Sequence, residues 1–301
     1  MVTEYKHLNS ITLEKMSLPP TERINFARQS VWIGYNTANQ ILDELDELVR
    51  WPRTQRMPSK LIVGDTNNGK SMLISQFLLN HEPFYDDPQN EQGLHVPVIA
   101  IQAPPKPNER LLYSTILQQV WAPHSARETS SRLLEMVISI LRHCKTKVLV
   151  IDEIHHLLAG THSKQHEFLN ILKYLSNELQ LSIIAVGTKD AVRAINVDPQ
   201  LANRFTALQL PRWKLDRDYL RLLATFEQIL PLKKPSHLSS RELAPVIYDL
   251  TEGYIGETSM LLGNAACLAI NDGSEKITSN ILESLNWVSP SQRRRASLEE
   301  K

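Results

Sequence analysis

Two kinds of hydrophobic pattern alternate along the chain. Over residues 36 to 50, Ile41, Leu42, Leu45 and Leu48 recur at helical spacing while Asp43, Glu44, Asp46 and Glu47 take the other face, which predicts an amphipathic helix. The pattern then changes. Lys60-Leu61-Ile62-Val63-Gly64 is an apolar run closed by glycine, the signature of a short strand buried on both faces. Similar runs follow at Val96 to Gln102, Val148 to Ile151, Ile183 to Val186 and, more weakly, Ala207 to Leu210. Helical patterns at 71–80, 109–121, 129–143 and 164–179 lie between them. Strands alternating with helices predict an α/β domain with a five-stranded parallel sheet covered on both faces.

From Leu215 the strand signal stops. Helical patterns at 216–230, 239–251, 256–272 and 277–286, separated by Pro231, Pro235-Ser236 and Asn271-Asp272-Gly273, predict a small all-helical module. At the other end Leu18-Pro19-Pro20 interrupts any regular element, and Thr21 is the expected N-cap of a short helix reaching Arg28. The boundaries expected are an N-terminal extension over 1–30, an α/β core over 31–213, a helical lid over 214–288 and an unstructured basic tail over 289–301 that includes Arg293, Arg294 and Arg295.

Composition narrows the classes. The 301 residues carry 33 Lys+Arg against 33 Asp+Glu, so the molecule as a whole exerts no pull on phosphate, and any nucleic-acid contact must come from a local basic surface. Cys144 and Cys267 lack partners at metal-ligand spacing and are expected to be buried thiols. The N-terminus has no signal-peptide pattern, and no segment approaches the ~18 consecutive apolar residues of a membrane span. A cytoplasmic protein without a membrane partner is expected.

The chemistry lies where strands end. Gly64-Asp65-Thr66-Asn67-Asn68-Gly69-Lys70-Ser71, followed by Met72, fits G-x-x-x-x-G-K-[ST] between a strand and a helix. Backbone N–H groups of such a loop and of the helix N-terminus cradle phosphates; Lys70 reaches the β and γ phosphates and the Ser71 hydroxyl ligates Mg2+. ATP and Mg2+ are the cofactors implied. A second strand ends in Asp152-Glu153, with Asp152 expected on the hydrated Mg2+ and Glu153 on the attacking water. A third ends in Val186-Gly187-Thr188, placing the Thr188 hydroxyl beside the γ-phosphate. Arg204, in Asn203-Arg204-Phe205 before the last strand, is placed either to complete a neighbouring subunit's site or to pair with Asp198 on the surface. His155 and His156, adjacent residues after the acids, are expected to point apart, which argues against a metal site.

With these motifs in order, the chain over 31–288 resembles AAA+ ATPases, and within them the transposition ATPases TniB and TnsC of Tn7-like and Tn5053-like elements, some CRISPR-associated. The likeness is carried by Ser30-Val31-Trp32-Ile33-Gly34-Tyr35, the loop at 64–71, Gln102-Ala103-Pro104-Pro105, Val186-Gly187-Thr188, Asp198-Pro199-Gln200-Leu201 with Arg204-Phe205, Leu210-Pro211-Arg212-Trp213 and Thr251-Glu252-Gly253-Tyr254-Ile255-Gly256. It implies an ATPase that assembles as a ring or helical filament on duplex DNA, nucleoid-associated when assembled, and links a TniQ-type target selector to a DDE transposase of the TniA or TnsB type. It also implies Trp32, Tyr35 and Gly256 at the nucleotide, and sequence-independent backbone contacts from Lys106, with Arg127 and Thr129 in the next loop. Lys106, Arg127 and Thr129 have the alternative reading of solvated loop residues, and Trp32 and Tyr35 that of core packing. At the position where many relatives carry a basic sensor residue this chain has Glu257, expected to face a neighbouring subunit. Two other functions fit the same core. One is a helicase loader or replication initiator, expected to carry a DNA-reading domain after the lid; the other is an ATP-gated DNA scaffold with negligible turnover.

Overall fold

The computed structural model describes residues 5–125 and 127–299; residues 1–4 of the expected extension and 300–301 of the expected tail lie outside them. Helices α1 (Ser10–Lys15) and α2 (Pro20–Ala27) open the chain. Asn9 caps α1, its Oδ1 accepting from the Thr12 amide at 2.8 Å. The α2 helix starts at Pro20 rather than after Thr21, because proline's missing N–H costs nothing in the first turn and its φ is already helical.

There follow α3 (Asn36–Arg50), β1 (Ser59–Gly64), α4 (Lys70–Asn80), β2 (Phe84–Asp87), β3 (Gln92–His95), β4 (Val98–Gln102), α5 (Glu109–Gln119), α6 (Ser130–His143), β5 (Val148–Asp152), α7 (His162–Leu179), β6 (Ser182–Gly187), α8 (Lys189–Ile195), α9 (Pro199–Ala202) and β7 (Phe205–Leu210). A 3₁₀ turn, Ile154–Ala159, joins β5 to α7. Last come α10 (Arg217–Ile229), α11 (Leu243–Thr251), α12 (Ile255–Asn271), α13 (Ser279–Ser284) and α14 (Pro290–Glu299). The chain divides into two units, residues 36–211 and the residues up to Tyr35 together with those from Arg212 onward.

The first unit is built on a five-stranded parallel sheet in the order β4-β5-β6-β1-β7, as the apolar runs predict. Residues of β5 and β6 are buried on both faces, as parallel strands under helices must be. Leu61, Ile99, Leu149 and Ile183 of the sheet share a core with Leu112 and Ile116 of α5, Leu133 and Val137 of α6, and Leu169 and Leu172 of α7. The α3 helix buries Ala38, Ile41, Leu42, Leu45 and Leu48, as its periodicity requires. An antiparallel hairpin of β2 and β3 has no counterpart in the sequence pattern. Its residues are mostly exposed and its turn is polar, so no buried face imposes one.

The second unit has its own core. Tyr219 and Leu223 of α10, Ile247 of α11 and Leu261, Leu262 and Ala265 of α12 are buried together with Ala27 of α2. The α2 and α12 backbones come close, since a methyl on Gly263 would lie 2.9 Å from the Ala27 carbonyl oxygen. Arg23 of α2 is buried, donating to the Pro231 carbonyl at 3.1 Å and, through both terminal nitrogens, to the Glu275 carboxylate. Residues 290–299, expected as an unstructured tail, are helical. Arg293 donates to the buried Glu257 and stacks its guanidinium 5.9 Å from the Trp287 ring centre, while Arg294 reaches Glu252 at 3.9 Å. Glu257 is therefore paired inside its own unit. Both cysteines are buried thiols, and among the described residues no helix is long and apolar enough to cross a membrane.

Burial by itself would raise the Glu275 carboxyl, but the Arg23 hydrogen bonds, the Lys233 amide and both basic charges together hold it below the usual glutamate range. A depressed folded value means the pair's contribution is full above the unfolded pKa and is lost as pH falls through the folded one. Arg23→Met is expected to cost about 3–5 kcal/mol at neutral pH, with the difference from native shrinking in acid. Urea denaturation at pH 7 and near pH 3.5 checks this; a cost that is the same at both values would show that the ion pair is not its source.

Candidate active site

The loop from Gly64 to Gly69 is shaped by two requirements, close approach and reversed backbone. A methyl at Gly64 would lie 3.1 Å from the Leu210 Cβ and 3.3 Å from the Leu210 carbonyl oxygen, so a side chain here would press on the end of β7. Asn67 and Gly69 take φ of 62° and 87°, a region that costs asparagine and glycine least. Asn68 braces the loop from inside: only 2% exposed, it donates through Nδ2 to the carbonyls of Leu210 at 2.8 Å and Pro211 at 3.1 Å. Thr66 and Asn67 are exposed, Asp65 and Met72 half-buried, and Ser71 presents its hydroxyl in the first turn of α4.

Lys70 is buried, and its Nζ donates to the carbonyls of Gly64 and Asp65, both at 2.9 Å. Burial lowers the pKa of this ammonium, and the charges of Glu153, Asp152 and Asp65 oppose the shift without cancelling it. Asp152 ends β5 two strands from β1. Burial raises its carboxyl, while the Glu153 N–H, donating to Oδ1 at 2.8 Å, and the Lys70 charge pull the other way. Glu153 itself stands in the left-handed region at φ 54° and starts the 3₁₀ turn. Thr188 follows β6, the strand between β5 and β1, and begins α8 without a side-chain capping bond. Parallel pairing thus sets the phosphate-type loop, the two acids and the hydroxyl on one edge of three adjacent strands.

The residues fit a nucleotide with Mg2+. Backbone N–H groups at the start of an 11-residue helix, a buried ammonium held by weaker neutral acceptors, and hard oxygen donors at Ser71 and Asp152 suit phosphate and a small divalent cation. A family model described as bacterial TniB protein matches residues 23–215. The chain belongs to the TniB family. No curated protein sequence matches it significantly. Among solved structures, the Aeropyrum pernix ORC2 protein in ADPNP–ADP complexes is 16% identical, with 86% of this chain and 70% of that one covered and a TM-score of 0.62. Cdc6p from Pyrobaculum aerophilum is 14% identical (83% and 67% covered, TM-score 0.56). The A. pernix ORC1 protein in complex with DNA is 15% identical (82% and 63% covered, TM-score 0.55). At such identities the likeness is one of fold, a parallel α/β core with helices after it.

In this TniB-family chain, Arg204 lies away from the phosphate-type loop and the two acids. It precedes β7 at the end where Ser59 faces Phe205, whereas Gly64 faces Leu210 at the other end, a strand length of roughly 17 Å. Its Nη1 donates to Asn177 Oδ1 at 2.8 Å, and Asp198, its expected surface partner, instead accepts from Lys173 at 3.2 Å. Burial and the Arg56 charge lower the Arg204 pKa. Lys106 is exposed in the loop after β4, on the same edge as the acids, and Arg127 is exposed between α5 and α6. Thr129 serves the fold, since its Oγ1 caps α6 by accepting the Arg132 amide at 3.2 Å.

Trp32, Tyr35 and Gly256 belong to the helical unit. Tyr35 packs edge-on against Trp213 at 4.8 Å, and burial pushes its hydroxyl up to about 12. Trp32 is half-buried, and Gly256 sits in the first turn of α12, next to Glu257. His155 and His156 do not point apart as expected. They lie on a 3₁₀ turn, and their ring centres are 5.1 Å apart. The sequence carries no direct sign of this, nor of the Asn68 brace, because both depend on what the rest of the sheet brings alongside.

Asn68→Ala strips the Leu210 and Pro211 carbonyls of their partner. It is expected to destabilise the fold by about 1–3 kcal/mol and to weaken binding of a fluorescent ATP analogue; unchanged affinity would show that the brace does not shape the loop.

Proposed function

We propose that this chain is an ATP-hydrolysing, DNA-binding regulator of transposition, acting in the cytoplasm and on the nucleoid as a homo-oligomeric ring or filament on duplex DNA. It would connect a TniQ-type target selector to a TniA- or TnsB-type transposase. The observation carrying the reading is the convergence of Gly64–Ser71, Asp152, Glu153 and Thr188 on one sheet edge in a TniB-family chain. Lys70 neutralises phosphate oxygens from a buried position, where its charge is least screened. Mg2+, held by Ser71 and Asp152, would supply further neutralisation of the leaving phosphates. Glu153 accepts the proton of the attacking water, and Thr188 orients that water from the intervening strand. Lys70→Ala is expected to abolish nucleotide binding, and Glu153→Gln to bind ATP and DNA normally while losing turnover by on the order of 10²- to 10⁴-fold. Normal phosphate release by Glu153→Gln would remove that residue from the mechanism.

Arg204, a strand length from its own chain's loop, supports action on a neighbouring subunit. An arginine supplied in this way stabilises charge developing on the transferred phosphoryl group. Arg204→Ala is expected to lower the DNA-stimulated ATPase by on the order of 10³-fold and leave the unassembled protein's basal rate unchanged; an equal drop in both would assign it a structural role.

Lys106, with Arg127 behind it, is proposed to touch the DNA backbone. Lys106→Ala is expected to weaken binding to all sequences alike and to flatten the dependence of log affinity on log salt by about 1. A change confined to one sequence would mean base reading instead. The likeness to ORC2 and Cdc6p favours a second reading, a replication-initiator-like ATPase. Co-assembly on DNA with a TniQ-type protein and a transposase, absent with a replicative helicase, separates the two.

A further inference from the structure

The 3₁₀ turn after Glu153 gathers three groups able to ligate a metal. A 3₁₀ turn rises only about 2.0 Å per residue, and here one ligand atom from each of Glu153, His155 and His156 lies within 4.8 Å of the other two. Glu153 Oε2 and His155 Nδ1 are 3.1 Å apart, yet that nitrogen is buried and makes no hydrogen bond. The two atoms are close without being aimed at each other, the relation of donors directed at a common third point. Two ligands each about 2.0–2.2 Å from one tetrahedral ion stand at about this separation.

Two further contacts fix the rings. His156 Nδ1 lies 3.4 Å from the Ala103 carbonyl oxygen, a contact that orients the ring. His155 packs against Gly187, where a methyl would come within 3.2 Å of Nδ1, so the end of β6 is shaped to admit the ring. All three side chains are half-buried.

We propose that Glu153, His155 and His156 form a three-ligand site for a divalent transition metal of the zinc type. Two imidazoles and one carboxylate suit zinc, with water as the fourth ligand, and do not suit Mg2+, which takes oxygen ligands. A metal held there occupies the Glu153 carboxylate and stops hydrolysis. That consequence rests on the role given to Glu153 above; the site itself does not.

The test uses the full-length, nucleotide-free protein titrated with Zn2+ by calorimetry and with Co2+ by visible absorption. One equivalent is expected in the native protein, weakened about 10-fold or more in both His155→Asn and His156→Asn. His162 and His166, whose rings are 4.4 Å apart on α7, are the rival chelate, so His166→Asn is expected to keep the equivalent. Unchanged Mg2+–nucleotide binding shows that the variants are folded. Loss of the equivalent in His166→Asn, or equal binding by every variant, overturns the site. In ATPase assays at fixed Mg2+–ATP, added Zn2+ is expected to silence the native protein and spare His156→Asn. Zinc bound through His155 and His156 with native turnover intact upholds the site and counts against Glu153 as the base.

Discussion

Because β1 is paired in parallel with β6 on one side and β7 on the other, the C-terminal ends of neighbouring strands must emerge together. Every polar group of the candidate site follows from that. The glycine loop leaves β1, Thr188 leaves β6, and Asp152 and Glu153 leave β5, so an ammonium and two carboxylates share one partly buried edge. The arrangement is mutually dependent. Lys70 is costly to bury alone, and the acids opposite oppose the loss of its charge; Asp152, raised by burial, is in turn held down by Lys70. Tight backbone contact supports the charges, through Gly64 against Leu210 and Asn68 bonded to the Leu210 and Pro211 carbonyls.

The same parallel geometry keeps Arg204 out of this site. A residue before a strand and a residue after its neighbour are separated by the strand's length, and no side chain spans it. An arginine on that edge gains a part in hydrolysis only by meeting another copy's edge, which gives the proposed assembly a chemical reason. It also fits the balance of 33 basic against 33 acidic residues. A neutral subunit attracts DNA weakly, whereas in the proposed assembly repetition of one or two exposed basic loops such as those of Lys106 and Arg127 would multiply the attraction.

The helical unit adds buried charge pairs to its apolar core. Arg23 joins the N-terminal segment to Glu275, and Arg293 joins the C-terminal helix to Glu257. Glu257, in the first turn of α12, meets its basic partner from a distant part of its own chain. Buried acids of this kind make the unit sensitive to loss of either partner, because the charge left behind has no water to solvate it.

Short apolar runs and helical periodicity already specified the five strands and most of the helices, because burial on two faces or on one stripe leaves a pattern in the residues themselves. The loop at 64–71 and the acids at 152 and 153 were equally legible, since each function needs its residue types at fixed spacing next to a strand end. The mostly exposed β2–β3 hairpin leaves no such pattern, and the helix from Pro290 is anchored through Arg293, whose contacts carry no apolar signal. Thr129 stands at the start of the helical pattern over 129–143 and also reads as a DNA-contacting loop residue; its hydroxyl proves to be engaged as the cap of α6. Tertiary structure alone decided which partners meet: Arg204 with Asn177 and not Asp198, Glu257 with Arg293, and His155 with Glu153 beside a glycine that makes room. These pairings depend on the order in which strands assemble and on the reach of particular side chains, and neither is written in local sequence.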